Sequence, residues 1–182
     1  MRYFYDTEFL ERGPEHPISF ISIGVVAEDG REFYAIDWDA PLAAIRRHDW
    51  LMENVVPYLP LRKVASEHQG TLLAWDLQHA DWPRVMTRGE IAAELLRFLT
   101  ADTEGPELWG WYSAYDHVAL AQLWGTMVDL PPQVPMWTND LRQEAARVGN
   151  PRVPFTPDGE HNALADARWN REVAEWLKTR PS

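Results

Sequence analysis

The chain contains no cysteine. That excludes thiolate nucleophiles, CxxC metal sites and a disulfide framework, and it suits an intracellular setting. Basic residues are few, 17 Lys and Arg against 28 Asp and Glu, which leaves a formal net charge of -11 and a pI near 4.9. A broad phosphate-binding surface needs cations that displace counterions, so a nucleic-acid ligand would have to be met locally. No stretch approaches the roughly 20 apolar residues of a membrane span, and the amino terminus runs straight into strand-like residues rather than the apolar core of a signal peptide. The expectation is a cytoplasmic protein with no membrane partner. A Gly-rich phosphate loop, a Ser-His-Asp order, internal repeats and low-complexity tracts are also missing.

What is present fits a single domain spanning 1–182, long enough to bury a core without staples. The ten tryptophans are many for this length. Most are expected in the core or an interface, and exposed ones could stack on bases.

The stretch from Arg2 to Phe9 organises the rest. Its aromatics suit a pleated surface, yet its far end carries two carboxylates one residue apart, Asp6 and Glu8. Alternation puts both on one face of a strand, with Thr7 pointing away between them. Two carboxylates that close repel one another when desolvated unless a proton or a hard cation lies between them. A strand end running into solvent would explain the same two residues, and on this stretch alone the two readings are even.

Further along, Ile18 to Ala27 is a β-branched run, and Asp29-Gly30 separates it from Arg31 to Ile36 as a hairpin turn would. These make an antiparallel trio with the first strand. Short helices are expected at 41–47 and 50–56, ended by Pro57 and Pro60. Residues 61–86 show no clear period and are expected to be connecting structure, over the site or toward a partner. Thr87 to Glu90 has capping-box spacing ahead of an apolar stripe, giving a helix to Thr100. Glu107 to Tyr112 reads as a strand, Asp116 opens a helix over 117–124, and Gly125 ends it. A strand-like piece follows around Met136 and Trp137, Asn139 is placed to cap a helix to Arg147, and the last helix runs from about His161 or Asn162 to Lys178. Three antiparallel strands followed by alternating helices and strands predict an α/β domain with a mixed sheet flanked by helices.

Four carboxylates fall at element ends: Asp6, Glu8, Asp116 and Asp166. His161 precedes Asp166 by five residues. On an ideal helix that spacing separates the two side chains by roughly 140°, so they share a site more easily if His161 stays in the preceding loop. Asp6-x-Glu8, then Tyr115-Asp116, then His161-x-x-x-x-Asp166, in this order, resembles the DEDDh branch of the DnaQ-like, RNase H-like 3′-to-5′ exonucleases. Asp6 to Phe9 and Trp109 to Leu120 look most like the actinobacterial exoribonucleases of the RNase AS group. Two departures from the wider branch stand out: Tyr112 where many members carry Asn, and Phe9-Leu10 in place of a Thr-Thr-Gly continuation.

The resemblance implies an RNase H-like sheet and a two-metal exoribonuclease releasing nucleoside 5′-monophosphates from RNA 3′ ends, with a preference for adenylate-containing RNA. By similarity Asp6 would bridge two divalent cations, Mg²⁺ or Mn²⁺, with Glu8 and Asp166 completing one and Asp116 serving the other. His161 would be the general base, since an imidazole's ordinary pKa near 6.5 suits accepting a proton around neutrality. Thr7, Glu8 and Phe9 would meet the substrate, and the protein would be a homodimer. For Phe9, core packing is an equal alternative to stacking on a base. Oxygen ligands match such cations, and bound ions would reverse the local field of an acidic chain. The same residues would serve a DNA or general oligonucleotide exonuclease. A catalytically idle RNA-binding module is the alternative of another class, against which stands the full set of four acids plus His161.

Other ionisable residues have simpler explanations. His117 is expected as a first-turn helix residue, His48, His68 and His79 as exposed, and Asp140 as an exposed first-turn acid favoured by the helix dipole.

Overall fold

The computed structural model describes residues 1–68, 70–101 and 105–180. Three strands form an antiparallel meander: β1 (Arg2–Leu10), β2 (Ser19–Ala27) and β3 (Glu32–Asp37). The turn between the last two is closed as a hairpin, with Gly30 at φ 96° and its N–H donating to the Ala27 carbonyl. After the meander come the short helices α1 (Leu42–Ile45) and α2 (Asp49–Asn54), then the hairpin strands β4 (Leu61–Ser66) and β5 (Gly70–Trp75). The remaining elements are β6 (Val85–Met86), α3 (Arg88–Leu99), β7 (Glu107–Gly110), α4 (Ala114–Ala121), β8 (Asn139–Asp140), α5 (Leu141–Arg147) and α6 (Ala163–Lys178).

The main sheet has the order β6-β3-β2-β1-β7-β8, with β7 parallel to β1, β8 parallel to β7, and β6 parallel to β3. Antiparallel strands first and parallel crossovers afterwards agree with the expected mixed sheet and are consistent with an RNase H-like fold. Every residue of β2 is buried, as its β-branched composition requires of a central strand covered on both faces.

Alternation along β1 sorts its side chains between two cores. Tyr3 and Tyr5 pack with Ile91, Leu95 and Leu99 of α3 and with Ala119 and Leu120 of α4. Phe4 faces the other way, against Leu141 of α5 and Val173 and Leu177 of α6. Asp6 and Glu8 continue the Phe4 series, so the acids lie on the face that α6 covers. The register slips between Glu8 and Phe9, where Glu8 pairs with Ser22 and Phe9 with Phe20. Such an irregularity bends the strand where its side chains must be aimed.

Gly24 lies opposite Asp6 in the ladder. A Cβ there would come within 2.3 Å of the Ala163 carbonyl oxygen and of Leu164 backbone atoms. The missing side chain is what lets the start of α6 press onto the sheet beside Asp6.

Residues 61–86 are more ordered than the sequence suggested. They form the β4–β5 hairpin, paired from Leu61 opposite Trp75 to Ser66 opposite Gly70, and then the edge strand β6. Leu61, Leu73 and Trp75 pack at the margin of the core around Ile45 and Leu51, which anchors the hairpin base. Trp75 also stacks on Trp38, with ring centroids 5.6 Å apart. None of the ten tryptophans is fully buried: Trp38, Trp50 and Trp137 are exposed and the others half-buried.

Several boundaries differ from expectation: the strand expected at 107–112 ends at Gly110, the helix expected at 117–124 ends at Ala121, and the two short helices are Leu42–Ile45 and Asp49–Asn54. The strand piece expected at Met136 and Trp137 lies instead at Asn139–Asp140, beyond the reach of Pro135, while both earlier side chains are exposed. Asp140 rather than Asn139 caps α5, accepting from the Arg142 N–H at 2.7 Å. Helix α4 begins at Ala114, so Asp116 sits within its first turn instead of opening it.

Candidate active site

The end of β1, the first turn of α4 and the entry to α6 converge on one cleft of about 400 Å³. It is lined by Asp6, Glu8, Asp116, His161 and Asp166, together with Thr7, Phe9, Trp50, Trp111, Tyr112 and Tyr115. All five residues singled out by order and spacing therefore meet, although 160 positions separate the first from the last.

Each acid is held by its own device. Asp6 and Glu8 share the pleat of β1. Asp116 arrives on α4, the helix that packs behind Tyr3 and Tyr5, and Thr7 reaches it from the opposite side of the strand. The Thr7 N–H and hydroxyl both donate to Asp116 Oδ1, at 2.9 and 2.6 Å. Alternation thus has a use here: the residue pointing away from the two acids positions the third, and its hydroxyl is committed to that bond. Asp166 accepts the His161 N–H at 2.8 Å, a bond that ties the loop to the helix across five residues.

His161 does stay in the loop. Asn162 is the N-cap of α6, with its side chain accepting from the Ala165 N–H, and His161 precedes it at φ 69°. A non-glycine residue in the left-handed region is uncommon and is held there only by surrounding structure. Tyr112, at φ 54°, shares this trait. Among non-glycine residues, Asn or Asp adopts that conformation more readily than Tyr.

Electrostatics mark the acids as incomplete by themselves. Burial first, then the carboxylates of Asp116, Glu8 and Asp166, hold Asp6 well above the usual carboxylate range. Glu8 is raised likewise, by burial and then by Asp166 and Asp116. Asp116 is pushed up to about 6 by burial, against the lowering effect of its Thr7 bonds. Asp166 is also pushed up to about 6, chiefly by burial and against the pull of the His161 N–H. Four desolvated acids with no lysine or arginine among the cleft-lining groups would be relieved by a hard divalent cation. Glu8, His161 and Asp166 offer ligand atoms within 4.8 Å of one another. Asp6 and Asp116 line the same cleft outside that trio.

Other histidines and acids take structural places. His117 Nδ1 lies 2.8 Å from Thr138 Oγ1, which is 2.7 Å from the buried Tyr5 hydroxyl. Burial lowers the His117 pKa, which disfavours the charged imidazole at this place. His48 caps α2 by accepting from the Leu51 N–H. Asp140 is half-buried rather than exposed, because besides capping α5 it accepts from the Ser113 N–H at 3.1 Å.

The aromatic rim of the cleft escaped the sequence reading except for Phe9. Phe9 and Tyr115 are stacked, with centroids 6.2 Å apart and planes 18° from parallel. Trp111 and Tyr112 meet edge to face. Tyr115 adjoins Asp116 in the chain and Tyr112 lies four positions before it, which was an available signal; Trp50 has no such neighbour.

The family model of the 3′-5′ exoribonuclease Rv2179c-like domain matches residues 1–177. The 3′-5′ exoribonuclease Rv2179c of Mycobacterium tuberculosis (strain ATCC 25618 / H37Rv) is 47% identical over 169 residues, covering 92% of this chain and 88% of the relative. The 3′-5′ exoribonuclease MT2234.1 of strain CDC 1551 / Oshkosh gives the same figures. The acids and the histidine that share this cleft thus lie within the stretch matched by an exoribonuclease family, and the chain belongs to the Rv2179c-like 3′-5′ exoribonuclease domain family.

Proposed function

We propose that the protein is a metal-dependent 3′-to-5′ exoribonuclease that removes nucleoside 5′-monophosphates from RNA 3′ ends and prefers adenylate-containing RNA. The observation that carries this reading is the meeting of Asp6, Glu8, Asp116 and Asp166 with His161 in one cleft. A protein that only bound RNA would gain nothing from four desolvated acids, which repel both one another and phosphate.

The donor set fits hard divalent cations, and Asp6, Glu8, Asp116 and Asp166 would hold two of them, Mg²⁺ or Mn²⁺. When bound, such ions supply charge neutralisation at the attacking and leaving oxygens of a phosphodiester. The chain's own residues do the rest. His161 accepts the proton of the attacking water at an imidazole nitrogen facing the carboxylates. Thr7 keeps Asp116 in place through its two bonds, and the His161 N–H does the same for Asp166. Thr7, Glu8 and Phe9 border the end of the cleft where the terminal nucleotide would lie, and the Phe9–Tyr115 stack offers a surface for its base. Since only a 3′ end enters, an acidic protein needs no extended basic track.

The adenylate preference, like a homodimeric state and a cytoplasmic location, is supported by the resemblance to the RNase AS group. The exposed Trp38 and Trp137 add a physical motive for association. Incubating the protein with 3′-labelled poly(A), mixed-sequence RNA and DNA, with and without EDTA, tests the reading. Poly(A) should shorten fastest and stepwise, and only without chelator. Chelator-resistant cleavage, or DNA degraded as fast as RNA, would refute it. Light scattering at micromolar concentration tests the dimer, and monomer alone would remove it.

A further inference from the structure

We propose that Trp50 is a positioning residue for His161, setting the plane of the imidazole by an aromatic contact that leaves its nitrogens free for the reaction. The two ring centroids are 4.7 Å apart and the rings are inclined at 71°, an edge-to-face pair. The inference rests on His161 being the general base.

Three observations carry it. First, the backbone of His161 is fixed while its ring is not: the N–H is bound to Asp166 and the next residue caps α6. Among the described residues, no hydrogen bond reaches the imidazole nitrogens. A proton acceptor whose nitrogens were tied up by protein partners would be of little use, so its orientation has to come from packing. Second, Trp50 is itself placed with care. Helix α2 is capped by the His48 imidazole and anchored by the buried Leu51, and this turns Trp50 toward the cleft. Third, Trp50 stays half in solvent, with 46% of its surface exposed. A large apolar side chain left so exposed contributes little to the core, whereas an aromatic pair prefers this inclined geometry.

The contact belongs to no element of the main sheet. It links the excursion between β3 and α3 to the loop before α6, two parts of the chain that the catalytic pattern does not connect.

A double-mutant cycle tests the proposal, using Trp50→Ala, Trp50→Phe, His161→Ala and Trp50→Ala with His161→Ala. Trp50→Ala should lower kcat roughly tenfold, as expected when a catalytic group loses its orientation, with KM changed less than twofold. Trp50→Phe should recover most of the loss. In the His161→Ala background the Trp50→Ala change should have no further effect. A loss of equal size in both backgrounds, or one confined to KM, would overturn the proposal and make Trp50 a direct RNA contact. A second measurement does not depend on activity. In the metal-free protein the His161 Cε1–H resonance should be displaced by the Trp50 ring current and should return toward its free position in Trp50→Ala. An unmoved resonance would also overturn the proposal. If His161→Ala keeps near-normal turnover, the general-base reading fails by itself, while the resonance still decides whether Trp50 orients the ring. Melting temperatures of all variants exclude a trivial loss of fold.

Discussion

The two walls of the cleft are built on opposite principles. The acidic wall is buried at Glu8 and Asp116 and half-buried at Asp6 and Asp166, comes from β1 and the first turns of α4 and α6, and is held by short bonds such as Thr7 to Asp116. The aromatic wall, from Phe9 and Trp50 to Trp111, Tyr112 and Tyr115, is half-buried or exposed and held by ring contacts. The first stores repulsion, which only a proton or a cation relieves. The second stores almost none and offers flat apolar surface to a ligand. Chemistry and recognition are therefore separable here, and mutations in the two walls should divide between kcat and KM, with Trp50, whose ring meets that of His161, as the exception.

The sharpest test of the acidic wall is Asp6→Ala. Turnover should fall below detection while the melting temperature holds or rises, because a carboxyl held well above its ordinary range by burial and by the neighbouring carboxylates is gone. Activity near that of the wild type in the folded variant would break the division between the walls. His161→Ala should lower kcat by roughly a hundredfold or more, the usual scale for losing a general base. Divalent-cation affinity should drop far less, because the four acids remain. A variant with near-normal turnover and a reduced melting temperature would make His161 a structural residue of the loop.

Gly24→Ala probes the backbone beneath that wall. The added methyl would meet the Ala163 carbonyl at 2.3 Å, so α6 must retreat and take Asp166 with it. Overpacking of this kind costs about 1–3 kcal/mol, and turnover should fall together with stability. An unchanged melting temperature would mean that the contact between α6 and β2 is more yielding than its geometry indicates.

How much of this could be read from the chain follows the same division. The acids were legible because their chemistry narrows the choice of residue: few positions in a core tolerate Asp or Glu, and Glu8, Asp116 and Asp166 fall near the end of a strand or helix, while Asp6 lies at the middle of β1. The β1 alternation, the Asp29-Gly30 turn and the Thr87 capping box were legible because they are local. Residues 61–86 were not. The β4 strand mixes Arg62 and Lys63 with apolar neighbours, and its pairing with β5 depends on docking Leu61 and Trp75 against a distant core. Likewise Asp140 was read as an exposed acid, since nothing in its neighbourhood announces Ser113 as a donor 27 residues away. Trp50 was lost among ten tryptophans, because a residue's membership in the rim is decided by where α2 points and not by its flanking residues.

A smaller effect concerns the metal-free protein. Asp116 has a folded-state pKa of about 6, above the ordinary value of 3.8. An acid whose pKa is raised on folding contributes stability when protonated. That contribution is complete below the unfolded pKa and is lost as pH rises through about 6. In EDTA the melting temperature should therefore fall between pH 5 and pH 7.5, and Asp116→Asn should fall less while still accepting from Thr7. For a chain of this size roughly 1 kcal/mol moves the midpoint by about 2–4 °C, so differences of a few degrees are expected. Adding Mn²⁺ at pH 7.5 should restore the wild type but not the variant to the same extent. Equal pH slopes for the two proteins would show that burying the Asp116 carboxyl does not raise its pKa in this way.

The smallest effect should come from the aromatic wall, and it completes the comparison. Tyr115 is more than half exposed, and its ring lies nearly parallel to that of Phe9 at 6.2 Å. Its neighbour Asp116 takes its hydrogen bonds from Thr7 and needs nothing from the tyrosine ring. Tyr115→Ala should therefore leave the acids in place. If the stack receives the terminal base, KM for poly(A) should rise several-fold, in keeping with the lower end of the roughly 1–3 kcal/mol that a stacked base contributes. The kcat should stay within about twofold, since a contact made equally in ground and transition states changes binding without changing the chemical step. Tyr115→Phe should behave like the wild type, because the ring and not the hydroxyl carries the contact. Should Tyr115→Ala instead lower kcat at unchanged KM, the ring would be a prop for Asp116, and the two walls would have to be treated as one structure.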